Sequence, residues 1–162
     1  MRIGVVSDTH IHRHRSKSLP SRLLDGLAGV DLILHAGDWL TMDVLYELET
    51  IAPVEGVAGN NDGWDIIDRF GHSKVLTLAG YRIGLVHGHQ GYKQTVLNAM
   101  DAFKGENVQA IVFGHSHVPF NQVLQGILMF NPGSPTDKRR QERYSYGILT
   151  LGDTVRGELF YF

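Results

Sequence analysis

The sequence predicts an α/β domain of two stacked β-sheets, mixed in strand direction, with helices on the outside. Three observations carry that reading. Short apolar runs alternate with helical patterns through the first part of the chain, as in a layered α/β fold. The end of the chain holds only strands and turns, whereas a doubly wound parallel sheet would continue its helices. The 162 residues are 43% apolar, enough for one real core, and no linker, repeat or low-complexity tract divides them, so residues 1–162 read as a single domain.

Each element has its own signal. "RIGVVSD" (2–8) reads as a buried strand. "SLPSRLLDGLAG" (18–29) reads as a helix, with Pro20 in its first turn, Leu23, Leu24 and Leu27 on one face and Gly29 at the stop. "VDLILHAGD" (30–38) is a strand, and "TMDVLYELETIA" (41–52) a helix with Thr41 as its N-cap. "PVEGVAGNND" (53–62) contains a short strand, and "KVLTLAGYRIGLVHGH" (74–89) is a hairpin turning at Ala79-Gly80. "YKQTVLNAMDAFKG" (92–105) is helical, with Val96, Leu97, Met100 and Phe103 inward. "VQAIVFGHSH" (108–117) is a strand, followed by "NQVLQGILMF", "YSYGILTL" and "TVRGELFYF", the last two joined at Gly152-Asp153.

Composition excludes several function classes. No apolar run approaches the roughly 20 residues of a membrane span, and the chain starts on a strand rather than a signal peptide, so a cytoplasmic protein is expected. There is no cysteine, which excludes thiolate zinc sites and a cysteine nucleophile. The formal net charge of -2 does not suggest a general nucleic-acid binder, and the basic stretches "HRHRSK" (12–17) and "KRRQER" (138–143) read first as solvated loops. Nine histidines are the one oddity, and histidine is the commonest metal ligand.

The strand ends explain them. One ends in Ser7-Asp8-Thr9-His10, another in Gly37-Asp38, and a third in Gly59-Asn60-Asn61-Asp62. Two more end in His87-Gly88-His89 and Gly114-His115-Ser116-His117. In an extended chain His115 and His117 would point to the same side. Sites in open α/β sheets form outside the carboxyl ends of strands, and each of these ends delivers oxygen or nitrogen donors there. One "DxH", one "GD" or one "HxH" would be ordinary polar loop residues, but together, each at a strand end, they indicate a metal site.

Seven candidate ligands are too many for one small divalent ion with open positions, so the chemistry suggests two metals. Asp38 is the natural bridging carboxylate. Mixed imidazole, carboxylate and amide donors suit manganese, nickel, iron or zinc better than calcium. Two divalent ions outweigh the charges of Asp8 and Asp38, so the site attracts an anion.

The order DxH, GD, GN, H, GHxH resembles the calcineurin-like metallophosphoesterases, and the chain looks like their small bacterial and archaeal phosphodiesterase branch. The match runs through "VVSDTH", "LILHAGD", "GVAGNND", "IGLVHGHQ", "VFGHSH" and "FNPGSP". The resemblance implies a four-layer αββα sandwich. It implies that Asp8, His10 and His117 hold one metal, that Asn60, His87 and His115 hold the second, and that Asp38 bridges them. His87 is preferred to His89 by motif position. The implied activity is a phosphodiesterase in which a hydroxide bridging two divalent metals, manganese first among them, attacks in line. The expected partner is a small phosphodiester or nucleotide, with homo-oligomerisation left open.

The pattern departs at Asn61, where larger relatives carry a histidine thought to protonate the leaving group. An amide cannot act as a general acid at neutral pH. Asn61 could still hydrogen-bond a phosphate oxygen, and His89 is the nearest substitute donor, with a supporting polar role an equal reading. His12 and His14 read as solvated, His35 as packed in its strand, His72 as a turn residue, and Trp39 as either a pocket wall or core. Asn131, Gly133 and Ser134 read as a turn first, with phosphate contact a second reading, and one of Arg139, Arg140 and Arg143 could bind phosphate. Two other functions stay open: a phosphomonoesterase or nucleotide phosphohydrolase, and a protein-binding scaffold like the retromer subunit of this fold. Competent residues at all seven ligand positions weigh against the scaffold.

Overall fold

In a computed structural model that describes residues 1–13 and 18–162, the chain forms two five-stranded sheets. The elements are β1 (Arg2–Val6), α1 (Ser21–Gly26), β2 (Leu32–His35), α2 (Asp43–Glu49), β3 (Val54–Gly56), α3 (Trp64–Phe70), β4 (Ser73–Leu78), β5 (Tyr81–Val86), α4 (Thr95–Ala102), β6 (Ala110–Val112), β7 (Phe120–Leu124), β8 (Ile127–Asn131), β9 (Ser145–Leu151) and β10 (Val155–Tyr161). The first sheet has the order β10-β9-β1-β2-β3 and the second β4-β5-β6-β8-β7. Both are mixed: β1, β2 and β3 run parallel while β9 and β10 pair antiparallel. In the second sheet β5, β6 and β8 run parallel, with β4 and β7 antiparallel at the edges.

The period of two along each strand sorts its side chains into separate cores. Ile3 and Val5 face Leu85, Val112 and Phe130 between the sheets. Val6 and Ile33 face outward into a second core with Leu23, Leu45 and Ile66 of α1, α2 and α3. A third core packs Ala99 of α4 and the following Phe103 against Ile111 and Met129 on the far face of the second sheet. Three cores between four layers are the αββα sandwich expected from the resemblance.

Several local expectations need correction. α3 is absent from the sequence reading: its N-cap is Gly63, with no side-chain cap, and only Ile66 and Phe70 of its seven residues are buried. The segment 121–130, read as strand and turn, is most of the β7–β8 hairpin, turning at Gln125 and Gly126, both with positive φ. Leu97 of α4 points to solvent, 41% exposed, and Asn98 turns inward in its place. The Asn98 amide accepts from Lys93 N–H (3.1 Å) and donates to Lys93 O (2.9 Å), which anchors the loop before the helix. The strand read over 108–117 ends at Val112. Thr41 does serve the start of α2, accepting from Asp43 N–H at 3.3 Å, although the helix is entered through Met42.

Among the described residues, no helix is long and apolar enough to cross a membrane. His14 and residues 15–17 of the first basic stretch lie outside the described residues.

Candidate metal centre

Parallel pairing places the carboxyl ends of β1, β2 and β3 side by side, and those of β5, β6 and β8 likewise. The two rows of loops meet at one place. There Gly114 N–H donates to His87 O (3.1 Å) within the second sheet's row, and His115 N–H donates to Asp8 Oδ2 (3.0 Å), joining loops of opposite sheets. Gly114 makes this approach possible, because a Cβ there would collide with Ser7 Oγ and Asp8 Oδ2.

Five donor residues sit in the left-handed region: Asp8 (φ 55°), His10 (47°), Asp38 (59°), His115 (66°) and His117 (60°). Such non-glycine conformations persist only where surrounding bonds over-determine them. Those bonds are present. Asp8 N–H donates to Gly37 O (2.9 Å) and His10 N–H to Asp38 O (3.0 Å). Ser134 Oγ donates to Asp8 O (2.8 Å) and Thr136 Oγ1 to Thr9 O (2.6 Å). The backbone twist also corrects the extended-chain argument: His115 and His117 do not face the same way. His117 Nε2 lies 3.5 Å from Asp8 Oδ1, while His115 Nδ1 lies 3.1 Å from Asn60 Oδ1.

All seven candidate ligands are joined through these short approaches. Asp8, His10 and His117 form one group of converging donor atoms, and Asp8, Asp38 and His87 a second. Asp38 Oδ2 lies 3.4 Å from both His10 Nε2 and His87 Nε2, so it stands between the groups. Asn60 Oδ1 is 3.1 Å from His87 Nε2 and, through its other neighbour, brings in His115. His89 lies outside both groups, with its ring centre 5.4 Å from that of His87.

The donor set fits divalent metal. His87 Nδ1 donates to Ala36 O (2.7 Å) and His117 Nδ1 to Asp137 O, because a carbonyl can only accept. Each neutral ring therefore turns an Nε2 lone pair towards carboxylate oxygens. Asp8 Oδ1 and His10 Nε2 are buried with no hydrogen-bond partner among the described residues. Lone pairs aimed at lone pairs in a buried place require a cation between them. Without metal, protons serve: burial works to lower His10 and His87, but the Asp8 and Asp38 carboxylates outweigh it and raise both. Asp38 follows the same logic in reverse. Burial would raise its carboxyl, yet His87 and the two Asn61 donors hold it well below the usual carboxylate range. Asn61 N–H and Nδ2 donate to Asp38 Oδ1 (2.9 Å) and Oδ2 (2.8 Å).

The sequence reading missed Asp62 as a structural part of the site. Its Oδ2 accepts from Asp38 N–H (2.8 Å) and Gly59 N–H (2.7 Å), and its Oδ1 from Leu40 N–H (2.8 Å). Asp38 and Leu40 both have positive φ, and Asp62 holds that turn. A carboxylate two residues after Asn60 was the available signal, but nothing in a sequence distinguishes an acceptor of backbone N–H from a ligand.

Other residues resolve simply. Trp39 is core: it stacks on His35 at 3.7 Å, and its Nε1 donates to Val57 O (2.8 Å). His35 is buried between Thr9 Oγ1 (3.2 Å) and Gly37 N–H (3.1 Å), and burial, then His87, lowers its pKa well below the ordinary histidine value. Asn131 and Ser134 are buried and spend their polar atoms on Gly114, Ser116, Gly133 and Asp8, so they brace the loops rather than face a phosphate. Arg139 pairs with Asp137 (3.0 Å) and Arg143 lies over Tyr161 (5.1 Å), so neither is directed by a partner into the centre. His12 and His72 are exposed. Asn61 lines a cleft with His10, His12, Leu40 and Gly63.

Comparison with known proteins agrees with this geometry. Residues 1–154 match the calcineurin-like phosphoesterase superfamily domain, and the chain belongs to that superfamily. It is 42% identical over 142 residues to a probable metallophosphoesterase of Methanothermobacter thermautotrophicus, covering 86% of this chain and 80% of that one. It is 29% identical over 175 residues to the phosphodiesterase MJ0936 of Methanocaldococcus jannaschii, covering 98% and 96%. Among solved structures, zinc-complexed Vps29 of Entamoeba histolytica superposes with a TM-score of 0.76 at 23% identity over 99% of both chains, a likeness of fold alone.

Proposed function

We propose that this protein is a phosphodiesterase whose centre holds two divalent ions, manganese being the first choice. Asp8, His10 and His117 would hold one ion, Asn60, His87 and His115 the other, and Asp38 would bridge them. The observation that carries the reading is the buried pair Asp8 Oδ1 and His10 Nε2, without a hydrogen-bond partner among the described residues and within a ring of lone pairs. When bound, two such ions supply a hydroxide for in-line attack at neutral pH and positive charge for the phosphoryl oxygens.

The chain's own residues do the remaining work. His87 and His117 are fixed in one tautomer by Ala36 O and Asp137 O. Asn61 has one amide hydrogen on Asp38 and a second for a phosphoryl oxygen in the cleft that it lines. It has no proton to give, so the leaving oxygen departs without a general acid at this position. His89 is a poor replacement: burial, then His87 and His115, lowers its pKa, which disfavours the protonated form a donor needs. The attack adds a water oxygen to phosphorus and breaks one ester bond, giving a monoester and an alcohol. The relative named as a phosphodiesterase supports diesters over monoesters.

The test is hydrolysis of matched diesters and monoesters after metal stripping, with manganese, nickel, iron(II) or zinc supplied. Diesters should be cleaved once, and their monoester products should accumulate. Faster monoester cleavage would favour the phosphomonoesterase alternative. No turnover with any metal would favour the scaffold reading.

A further inference from the structure

A cavity of about 350 Å³ adjoins the metal centre, and His10 lines both. Its walls come from four places in the chain. Ile11 follows the first donor loop, Pro20 precedes α1, Pro135 follows β8, and Tyr144 and Phe162 flank the β9–β10 hairpin. The Tyr144 and Phe162 ring centres lie 5.8 Å apart, and the two residues pair by backbone hydrogen bonds (both 3.0 Å). Two of the polar lining groups are already used: Thr9 Oγ1 contacts His35 and Thr136 Oγ1 donates to Thr9 O. Among the described residues, the rest of the lining is the apolar and aromatic faces of Ile11, Pro20, Pro135, Tyr144 and Phe162, with His10, the Tyr144 hydroxyl and the exposed His12 and Ser18 as its polar groups.

Such a surface, mostly apolar, offers few partners for the several hydroxyls of a sugar or the oxygens of a phosphate. It suits a flat uncharged ring. An apolar cavity of about 150 Å³ is enough to take benzene, so this one has room for an aryl group or a nucleobase. It shares His10 with the centre, so a ring bound there would lie next to the phosphoryl site.

We propose that this cavity is a specificity pocket for an aromatic ring carried by one ester arm of the substrate. The inference rests on the phosphodiesterase reading above, and it narrows the substrate class to aryl or nucleoside phosphodiesters. The other arm carries the leaving oxygen.

The experiment keeps the leaving group constant and varies the retained arm. Phenyl p-nitrophenyl phosphate and methyl p-nitrophenyl phosphate are compared by kcat/KM in the manganese-loaded protein. Burying a ring's apolar surface should favour the phenyl ester by about 10- to 50-fold. Tyr144→Ala, which removes one wall, should lower that ratio at least about fivefold. Ser18→Trp, at an exposed lining position and thus tolerated by the fold, should lower it by filling the space. A ratio near one in the wild type, or unchanged in both variants, overturns the pocket and leaves the phosphodiesterase reading standing. If neither ester turns over, the phosphodiesterase reading fails, and the pocket is read by binding instead. Phenylphosphonate should then shift the amide resonances of Ile11, Thr136, Tyr144 and Phe162 saturably, and methylphosphonate should not. Equal shifts with the two phosphonates, or none with either, overturn the pocket.

Discussion

Replacing Asp62 by asparagine tests whether the metal centre depends on a carboxylate outside its two donor groups. The carboxylate accepts three backbone N–H groups through two oxygens, those of Asp38 and Gly59 on one and that of Leu40 on the other. Asparagine has one oxygen. Placed towards Asp38 and Gly59, it sets its NH2 against the N–H of Leu40. That loses one bond to a charged acceptor, about 1.5–3 kcal/mol, and weakens two others by several tenths each. Burial already pushes the Asp62 carboxyl up, so removing the charge returns part of that loss. The net expectation is a destabilisation of about 2 kcal/mol. The turn that carries Asp38 and Leu40, both at positive φ, loses its brace, so manganese should bind about 10- to 100-fold more weakly. Urea unfolding of the metal-free protein gives the first number and metal titration the second. A variant within about 0.5 kcal/mol of the wild type, with unchanged manganese affinity, would show that Asp62 does not brace the centre.

Three further expectations follow from the same geometry. Asp38→Asn keeps the shape of the residue placed between the two donor groups but removes its charge, so it should lose most turnover at limiting manganese while far-ultraviolet dichroism stays native. Asn61→His should help diesters with poor leaving groups more than good ones, by less than the about 10²–10⁴-fold of an evolved general acid, and should flatten the slope of log rate against leaving-group pKa. A wild-type slope that is already flat would place a proton donor elsewhere, and His89→Gln would then be the variant to measure. His35 is lowered by burial and by His87, so the unfolded chain takes up a proton that the fold refuses. Its contribution is fully present above the ordinary histidine pKa and is lost as pH falls below it. Metal-free wild type should therefore lose up to about 1.4 kcal/mol per pH unit below about pH 6.5 relative to His35→Gln, and parallel pH profiles would count against it.

The sequence made the layers and the donors legible for different reasons. Strand runs such as Ile3 to Val6 are buried on both faces, so they read as continuous apolar stretches. The donors read clearly because each follows such a run, where β1, β2 and β3, or β5 and β6, end together. What stayed hidden was set by tertiary contacts. α3 buries two residues and is capped by a glycine, so it has almost no periodic signal of its own. Leu97 and Asn98 exchange the places that apolarity assigns them, because the Asn98 amide is satisfied by Lys93. The left-handed turns at His115 and His117 depend on Asp8 and on the loop at Asp137, distant in sequence from both histidines.

The buried lone pairs around Asp8, Asp38 and His87 are proposed to hold two divalent ions that make the protein a phosphodiesterase. Titrating metal-stripped protein with manganese, and following bound ion and diester turnover in the same samples, tests it most directly. Turnover should be negligible in the stripped protein, rise with occupancy and level off at two ions per chain. Saturation at one ion, or diester hydrolysis that persists without metal, would rule out a two-metal phosphodiesterase.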